Sequence, residues 1–181
     1  ILVSRLASHR RPLAEGVIHS MYVHKTRQRL HDMQARDELR ALIDREGWVR
    51  VNGERLPNLP LLWPAIEAEV KSMEGDSDGC LIHGDLCFSN ILYDLRVHLC
   101  KLVDPRGSFG QVGVYGDPRY DIAKLHQCAV GQYDFITNDL FRVSIEGDDI
   151  RLAIRARSQH EQIGRQFRKV FFEMFDERRI T

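Results

Sequence analysis

The chain of 181 residues lacks long apolar runs, net charge and a cysteine-rich pattern. No apolar run approaches the roughly 18 residues that a membrane helix needs, so we expect a soluble protein without a membrane span. Its four cysteines, Cys80, Cys87, Cys100 and Cys128, are too few and too irregularly spaced for a disulfide framework, and no secretory signal precedes them. We therefore expect a reducing, cytoplasmic location.

Charge is balanced, because Lys plus Arg and Asp plus Glu each number 26. This balance gives no reason to expect a nucleic-acid or membrane-surface partner. With 43% apolar and 29% charged residues, a chain of this length can bury one sizeable core. Residues 1–181 are therefore expected to be a single domain or lobe. Because the first residue is Ile1, we expect this lobe to belong to a longer protein.

Apolar periodicity predicts helices mixed with short hairpins, which indicates an α+β class. The predicted helices are Leu13 to Glu46, Leu61 to Met73, Asp117 to Val130 and Arg157 to Arg178. In the last of these, the apolar residues expected to face inward are Ile163, Phe167, Val170, Phe171 and Met174. The predicted strands are Trp48 to Val51 and Glu54 to Leu56 around Asn-Gly, Cys80 to Ile82, Ile91 to Tyr93 and Leu99 to Val103. Phe141 to Ile145 and Ile150 to Ile154 are predicted to form a second hairpin, with helix as the alternative for the latter half. Gly107, Gly110, Gly113 and Gly116 mark a loop that we interpret as substrate-facing, with a structural series of turns as the alternative.

The chemistry is concentrated between Leu81 and Gly107, where polar residues follow short apolar runs. His83-Gly84-Asp85, four further residues, Asn90 and then Asp104 stand in the order of a phosphoryl-transfer site. Such a site needs oxygen ligands for Mg²⁺ and a carboxylate that orients the attacking hydroxyl. Asp and Asn side chains supply both.

This pattern resembles the aminoglycoside phosphotransferase and choline kinase superfamily, the small-molecule kinases with a protein-kinase-like fold. The resemblance covers His83 to about Leu125 and includes the Asp-Pro-x-x-Asp-x-Ala start of a helix at Asp117. It implies a mainly helical C-terminal lobe with short hairpins around the catalytic loop. Mg²⁺ as cofactor and ATP as co-substrate are implied with it.

The resemblance also implies roles for individual residues. Asp85 corresponds to the catalytic base or hydroxyl-positioning carboxylate, and Asn90 and Asp104 correspond to the magnesium ligands. His83 corresponds to a packing residue of the catalytic loop, and Asp121 to a buried acid that accepts hydrogen bonds from the loop backbone.

The sequence departs from the family at two points, after Asp104 and before Lys25, and Gly84 indicates the class of acceptor. Pro105-Arg106 follows the second Asp, and we hypothesise that Arg106 holds phosphate oxygens or an acidic substrate, with a salt bridge to a neighbouring carboxylate as the alternative. No Gly-rich loop precedes Lys25, the first lysine, so we expect the nucleotide-binding N-terminal lobe to lie outside this chain and the fragment alone to be inactive. Gly84 replaces the Arg of protein kinases, which favours small-molecule acceptors.

We therefore expect an ATP-dependent phosphotransferase that acts on a hydroxyl of a small molecule, such as a sugar or a precursor of a surface polysaccharide. The sugar assignment depends only on two segments, Leu86–Asn90 and Asp104–Gly110, which resemble proteins of polysaccharide biosynthesis. A non-catalytic pseudokinase or binding module and a metal-dependent phosphohydrolase are the two alternatives.

Overall fold

The computed structural model describes residues 9–74, 78–147, 149–156 and 158–174, and within them the chain is α+β. The helices are α1 (Val17–His19), α2 (Lys25–Gln34), α3 (Asp37–Ile43), α4 (Leu59–Met73), α5 (Pro118–Ala129), α6 (Tyr133–Thr137) and α7 (Ser158–Met174). The strands are β1 (Arg10–Pro12), β2 (Trp48–Val51), β3 (Glu54–Pro57), β4 (Asp78–Leu81), β5 (Ile91–Asp94), β6 (Leu99–Leu102), β7 (Ser108–Phe109), β8 (Gln111–Val112), β9 (Tyr115–Gly116), β10 (Phe141–Glu146) and β11 (Asp149–Ile154). No helix of the described part has both the length and the apolar content to cross a membrane.

The chain divides into two compact units. One contains the chain up to Ile82 together with Gly107–Pro118 and Val143–Leu152. The other contains His83–Arg106, Arg119–Arg142 and the chain from Ala153 onward.

In the first unit, the single helix predicted over Leu13 to Glu46 is wrong in its continuity. Gly16 precedes α1 with a φ of 70°, so the helix begins at Val17. It then continues through a five-residue π-helical turn, Ser20–His24, into α2, and the break comes at Arg36, which is extended with φ −98° and ψ 116°. The Arg40 Nε–H donates to the Gln34 carbonyl at 2.9 Å. This bond satisfies a carbonyl at the end of α2, so the chain can leave one helix and start the next.

The Asn-Gly hairpin is confirmed. β2 and β3 pair antiparallel with Val51 opposite Glu54, and Asn52 and Gly53 have φ values of 52° and 84°. Two consecutive positive φ angles are what a two-residue type I′ turn requires, and Asn-Gly tolerates them. The hairpin belongs to a larger sheet, because β2 also pairs parallel with β11 in the strand order β10-β11-β2-β3.

The glycine-rich segment has more structure than the predicted loop. β7 and β8 form a small hairpin, and β9 pairs with β4 through Cys80 and Gly116. A Cβ on Gly116 would lie 2.3 Å from Ile82 Cδ1 and 2.7 Å from Phe109 Cγ, and Phe109 is buried. At Gly116, packing therefore explains the glycine, as in the structural alternative.

In the second unit, the inward face predicted for the last helix is right in part. Phe167 and Phe171 are half-buried, and the Phe167 ring lies 5.9 Å from the His126 ring, but Ile163 and Val170 are 46% and 50% exposed. The fully buried positions are His160 and Gly164, and His160 Nε2 lies 3.2 Å from the Cys128 carbonyl oxygen. A count of apolar residues does not mark a glycine and a histidine, so it shifted the centre of the face. The predicted ends of the helix at Arg157 and beyond Met174 lie outside the described residues.

Gly164→Ala is expected to lower the free energy of unfolding by about 1–2 kcal/mol, although alanine favours helix by about 1 kcal/mol. The added Cβ would lie 2.8 Å from the Ala129 carbonyl oxygen, so the helix would have to shift. Urea unfolding followed by circular dichroism measures the change. Gln166→Ala, at an exposed site on the same helix, is the control and should change stability by less than about 0.5 kcal/mol.

Candidate active site

The backbone of the predicted catalytic loop is fixed by one buried carboxylate in the second unit. The His83 N–H donates to Asp121 Oδ2 at 2.6 Å, and the Gly84 N–H donates to Asp121 Oδ1 at 2.8 Å. Asp121 lies in the first turn of α5, where a carboxylate also interacts favourably with the free N–H groups of the helix. Gly84 has a φ of 78°, which a glycine adopts without strain.

The side chain of His83 connects this loop to the segment that carries Asp104. His83 Nε2 lies 2.8 Å from the Val103 carbonyl oxygen, while the Asp85 N–H points to His83 Nδ1 at 3.3 Å. Since a carbonyl can only accept, Nε2 is the protonated nitrogen and Nδ1 is the acceptor. The Arg106 N–H also donates to the His83 carbonyl at 2.9 Å, so the buried ring and its backbone hold both ends of residues 103–106.

The β5–β6 hairpin determines where Asn90 and Asp104 stand. Ile91 pairs with Leu102, and the next hydrogen bond runs from the Val103 N–H to the Asn90 carbonyl at 3.0 Å. Asp104 directly follows Val103, is exposed and has a φ of 56°. The strand register therefore carries Asn90 beside the segment that ends in Asp104.

The Asn90 side chain has a defined orientation. Its Nδ2 donates to the Asp85 carbonyl at 2.9 Å. Because a carbonyl oxygen cannot donate, the nitrogen of the amide must face it, and the oxygen of the amide points away from this carbonyl. Asn90 and Asp85 are thus connected directly through the loop.

Two cations contact the carboxylate of Asp85. Lys124 Nζ lies 2.9 Å and Arg106 Nη2 lies 3.3 Å from Asp85 Oδ1. The three side chains are 19%, 27% and 30% exposed for Lys124, Arg106 and Asp85 respectively, so all are partly shielded from water. The salt bridge that the sequence left as the alternative for Arg106 is present.

These contacts shift the pKa values of the site in opposite directions. Partial burial acts to raise the pKa of Asp85, but the hydrogen bond and charge of Lys124 and then the charge of Arg106 outweigh it and lower the pKa below its ordinary value. Burial raises the pKa of Asp121, and the two backbone N–H groups offset only part of that rise. Burial lowers the pKa of Lys124, but the Asp85 carboxylate outweighs it and raises that pKa overall. Asp85 is therefore ionised and Lys124 protonated at neutral pH.

Lys124 is the site residue that sequence reasoning missed. It follows Asp121 by three positions on α5, so both side chains project from one face of the helix. That spacing was the available signal. Lys124 Nζ also lies 5.8 Å from the centroid of the Tyr133 ring, and the Arg106 guanidinium lies 6.0 Å from the centroid of the Tyr120 ring.

The oxygen atoms of Asn90 and Asp104 fit a magnesium ion better than a structural zinc ion. Mg²⁺ commonly takes one or two protein oxygens and completes its shell with phosphate and water. No group of three or more His, Cys, Asp or Glu side chains suited to a metal occurs in the part of the chain that the structure describes. An amide oxygen and one carboxylate suit the first kind of site.

Comparisons with protein-family models, curated proteins and solved structures find no match to this chain.

Asp121→Asn is expected to lower the free energy of unfolding by about 1–2 kcal/mol, because the amide nitrogen cannot accept and one of the two loop N–H groups loses its partner. Chemical denaturation measures the loss. Asp94→Asn is a matched control, since one oxygen of Asp94 accepts the N–H groups of Arg96 and Val97 in an exposed turn. An amide oxygen at position 94 can keep both bonds, so an equal loss in both variants would contradict the role given to the second carboxylate oxygen of Asp121.

Proposed function

We propose that the protein is a magnesium-dependent phosphotransferase of the small-molecule kinase type, which moves the γ-phosphoryl group of ATP to a hydroxyl of a small molecule. The proposal includes a cytoplasmic location and a kinase-like C-terminal lobe for this chain. A sugar, such as a precursor of a surface polysaccharide, is the acceptor that the sequence favours.

One observation carries the proposal. Asn90 donates to the Asp85 carbonyl, and the same Asn90 pairs through its own carbonyl with Val103, the residue before Asp104. Three residues that the sequence order assigns to phosphoryl transfer are thereby connected through one loop and one hairpin. A chance series of turn residues would not require such a connection.

The chain's own residues would act as follows. Asp85 accepts a hydrogen bond from the acceptor hydroxyl, orients its oxygen towards the γ-phosphorus and receives the proton as the new O–P bond forms and ADP leaves. Because Lys124 and Arg106 lower the pKa of Asp85, orientation is its larger contribution. Mg²⁺ held by the Asn90 amide oxygen and the Asp104 carboxylate would neutralise charge on the phosphate oxygens.

His83 and Asp121 support this chemistry without touching the substrate. They hold the loop backbone at His83 and Gly84 and the segment from Val103 to Arg106. Phosphoryl transfer requires the reacting groups to be positioned within a few tenths of an ångström, and the buried side chains of His83 and Asp121 fix the loop that positions them.

Asp85→Asn is expected to lower the rate of transfer from labelled ATP at least about 100-fold, since the uncharged amide holds the acceptor hydroxyl less strongly in the attacking orientation and cannot accept its proton. The assay uses the full-length protein with Mg²⁺ and a panel of sugars and amino alcohols. Asp139→Asn is the control, because Asp139 is exposed and has a positive φ of 56° that Asn also tolerates.

The same assay separates the alternatives. Phosphate release without any acceptor would indicate a phosphohydrolase, and nucleotide binding without turnover would indicate a pseudokinase. Unchanged transfer in Asp85→Asn would contradict the role given to that carboxylate.

A further inference from the structure

The carboxylate of Asp85 is outnumbered by the cations that contact it. Lys124 and Arg106 both reach the same oxygen, Oδ1, so these three side chains together carry one surplus positive charge. The nearby Asp121 carboxylate also carries a negative charge, but it is buried and both of its oxygens accept backbone N–H groups of His83 and Gly84. Each cation also lies near an aromatic ring, Lys124 by Tyr133 and Arg106 by Tyr120. A ring attracts a cation through its quadrupole but does not neutralise its charge.

Both cations retain hydrogen-bonding capacity. Arg106 has five N–H donors, and its contacts with Asp85 and the Tyr120 hydroxyl, the latter at 3.2 Å, engage Nη2 and Nη1 once each. The Lys124 ammonium has three N–H donors, and its contact with Asp85 Oδ1 uses one of them. An anion can therefore be bound without breaking either ion pair.

Lys124 and Arg106 lie beside the residue that is proposed to orient the acceptor. They contact the carboxylate that orients the acceptor hydroxyl, whereas the proposed ligands of the metal that serves the nucleotide phosphates are Asn90 and Asp104. A cationic acceptor such as an amino sugar or an amino alcohol would face the surplus positive charge of this cluster. An acceptor with a carboxylate or phosphate group would neutralise it.

We propose that Lys124 and Arg106 form an anion site for the acceptor, so that the preferred acceptor is a hydroxyl compound that also carries a carboxylate or a phosphate group. The inference that the anion belongs to the phosphoryl acceptor rests on the proposed function. Anion binding itself can be measured without turnover. Arg106 and Lys124 then determine specificity, and Asp85 retains the role of orienting the hydroxyl.

The test titrates the full-length protein with inorganic phosphate and with acetate at constant ionic strength, with chloride as the reference anion. Nitrogen-15 NMR of the Arg106 Nε–H group reports binding, and saturating Mg²⁺ with a non-hydrolysable ATP analogue is present in a second series. Lys124→Gln should raise the dissociation constant of the anion at least about tenfold, and Lys124→Arg should retain most of the wild-type affinity. Lys101→Gln, at an exposed site on β6, is the control and should change the dissociation constant less than about twofold.

A saturable shift that persists with nucleotide bound, and that is lost in Lys124→Gln, supports the inference, and the tighter of the two anions identifies phosphate or carboxylate as the group. No saturable shift with either anion overturns it. Loss of the shift on adding nucleotide also overturns it, because the cations would then serve the nucleotide phosphates.

Transfer to glucose, glucosamine, glucuronate and glucose 6-phosphate separates this inference from the proposed function. Equal kcat/KM for neutral, amino and anionic acceptors would remove the anion preference while the kinase activity stands. Anion binding at Arg106 with no transfer to any acceptor would remove the kinase activity while the anion site stands. Circular dichroism of each variant checks that the fold is retained.

Discussion

The carboxylate of Asp121 is the interaction on which the rest of the site depends. It accepts hydrogen bonds from two consecutive N–H groups, those of His83 and Gly84, and it is buried where such donors would otherwise have no partner. Through His83 the same constraint reaches the Val103 carbonyl and the Arg106 N–H. Asp121, in the first turn of α5, thus helps to fix the backbone positions of Asp85, Asp104 and Arg106.

Helix α5 supplies both the support and the charge of the site. Asp121 is buried and its pKa is raised, whereas Lys124, one turn later, points at Asp85 and holds the pKa of that carboxyl down. Two carboxyl groups in one small region therefore have different roles because their partners differ. Asp121 meets backbone donors, and Asp85 meets two side-chain cations.

Local signals were sufficient where a local rule decides the structure. Asn52-Gly53 predicted a turn that only positive φ angles can form, and the alternation around it predicted the strands. The α+β class followed from the same periodicities. Long-range packing was not accessible in this way, since nothing in the sequence of α7 indicates that Gly164 rather than Ile163 faces Ala129. The break at Arg36 likewise depends on an Arg40 side chain that finds the Gln34 carbonyl. Within the candidate site, the order of Asp85, Asn90 and Asp104 was readable from the sequence. The spacing of Asp121 and Lys124 indicated only that they share a helix face, and the contact of Lys124 with Asp85 follows from the placement of α5 beside the loop.

We propose that Asn90 and Asp104 bind the metal of a phosphoryl-transfer site next to Asp85. A crystal structure of the full-length protein grown with Mn²⁺ and a non-hydrolysable ATP analogue, with the metal located by its anomalous scattering, tests this proposal. We expect a peak roughly 2.0–2.3 Å from the Asn90 amide oxygen and from an Asp104 carboxylate oxygen, because oxygen ligands suit both Mg²⁺ and Mn²⁺. Nucleotide bound with its metal away from both residues would contradict it.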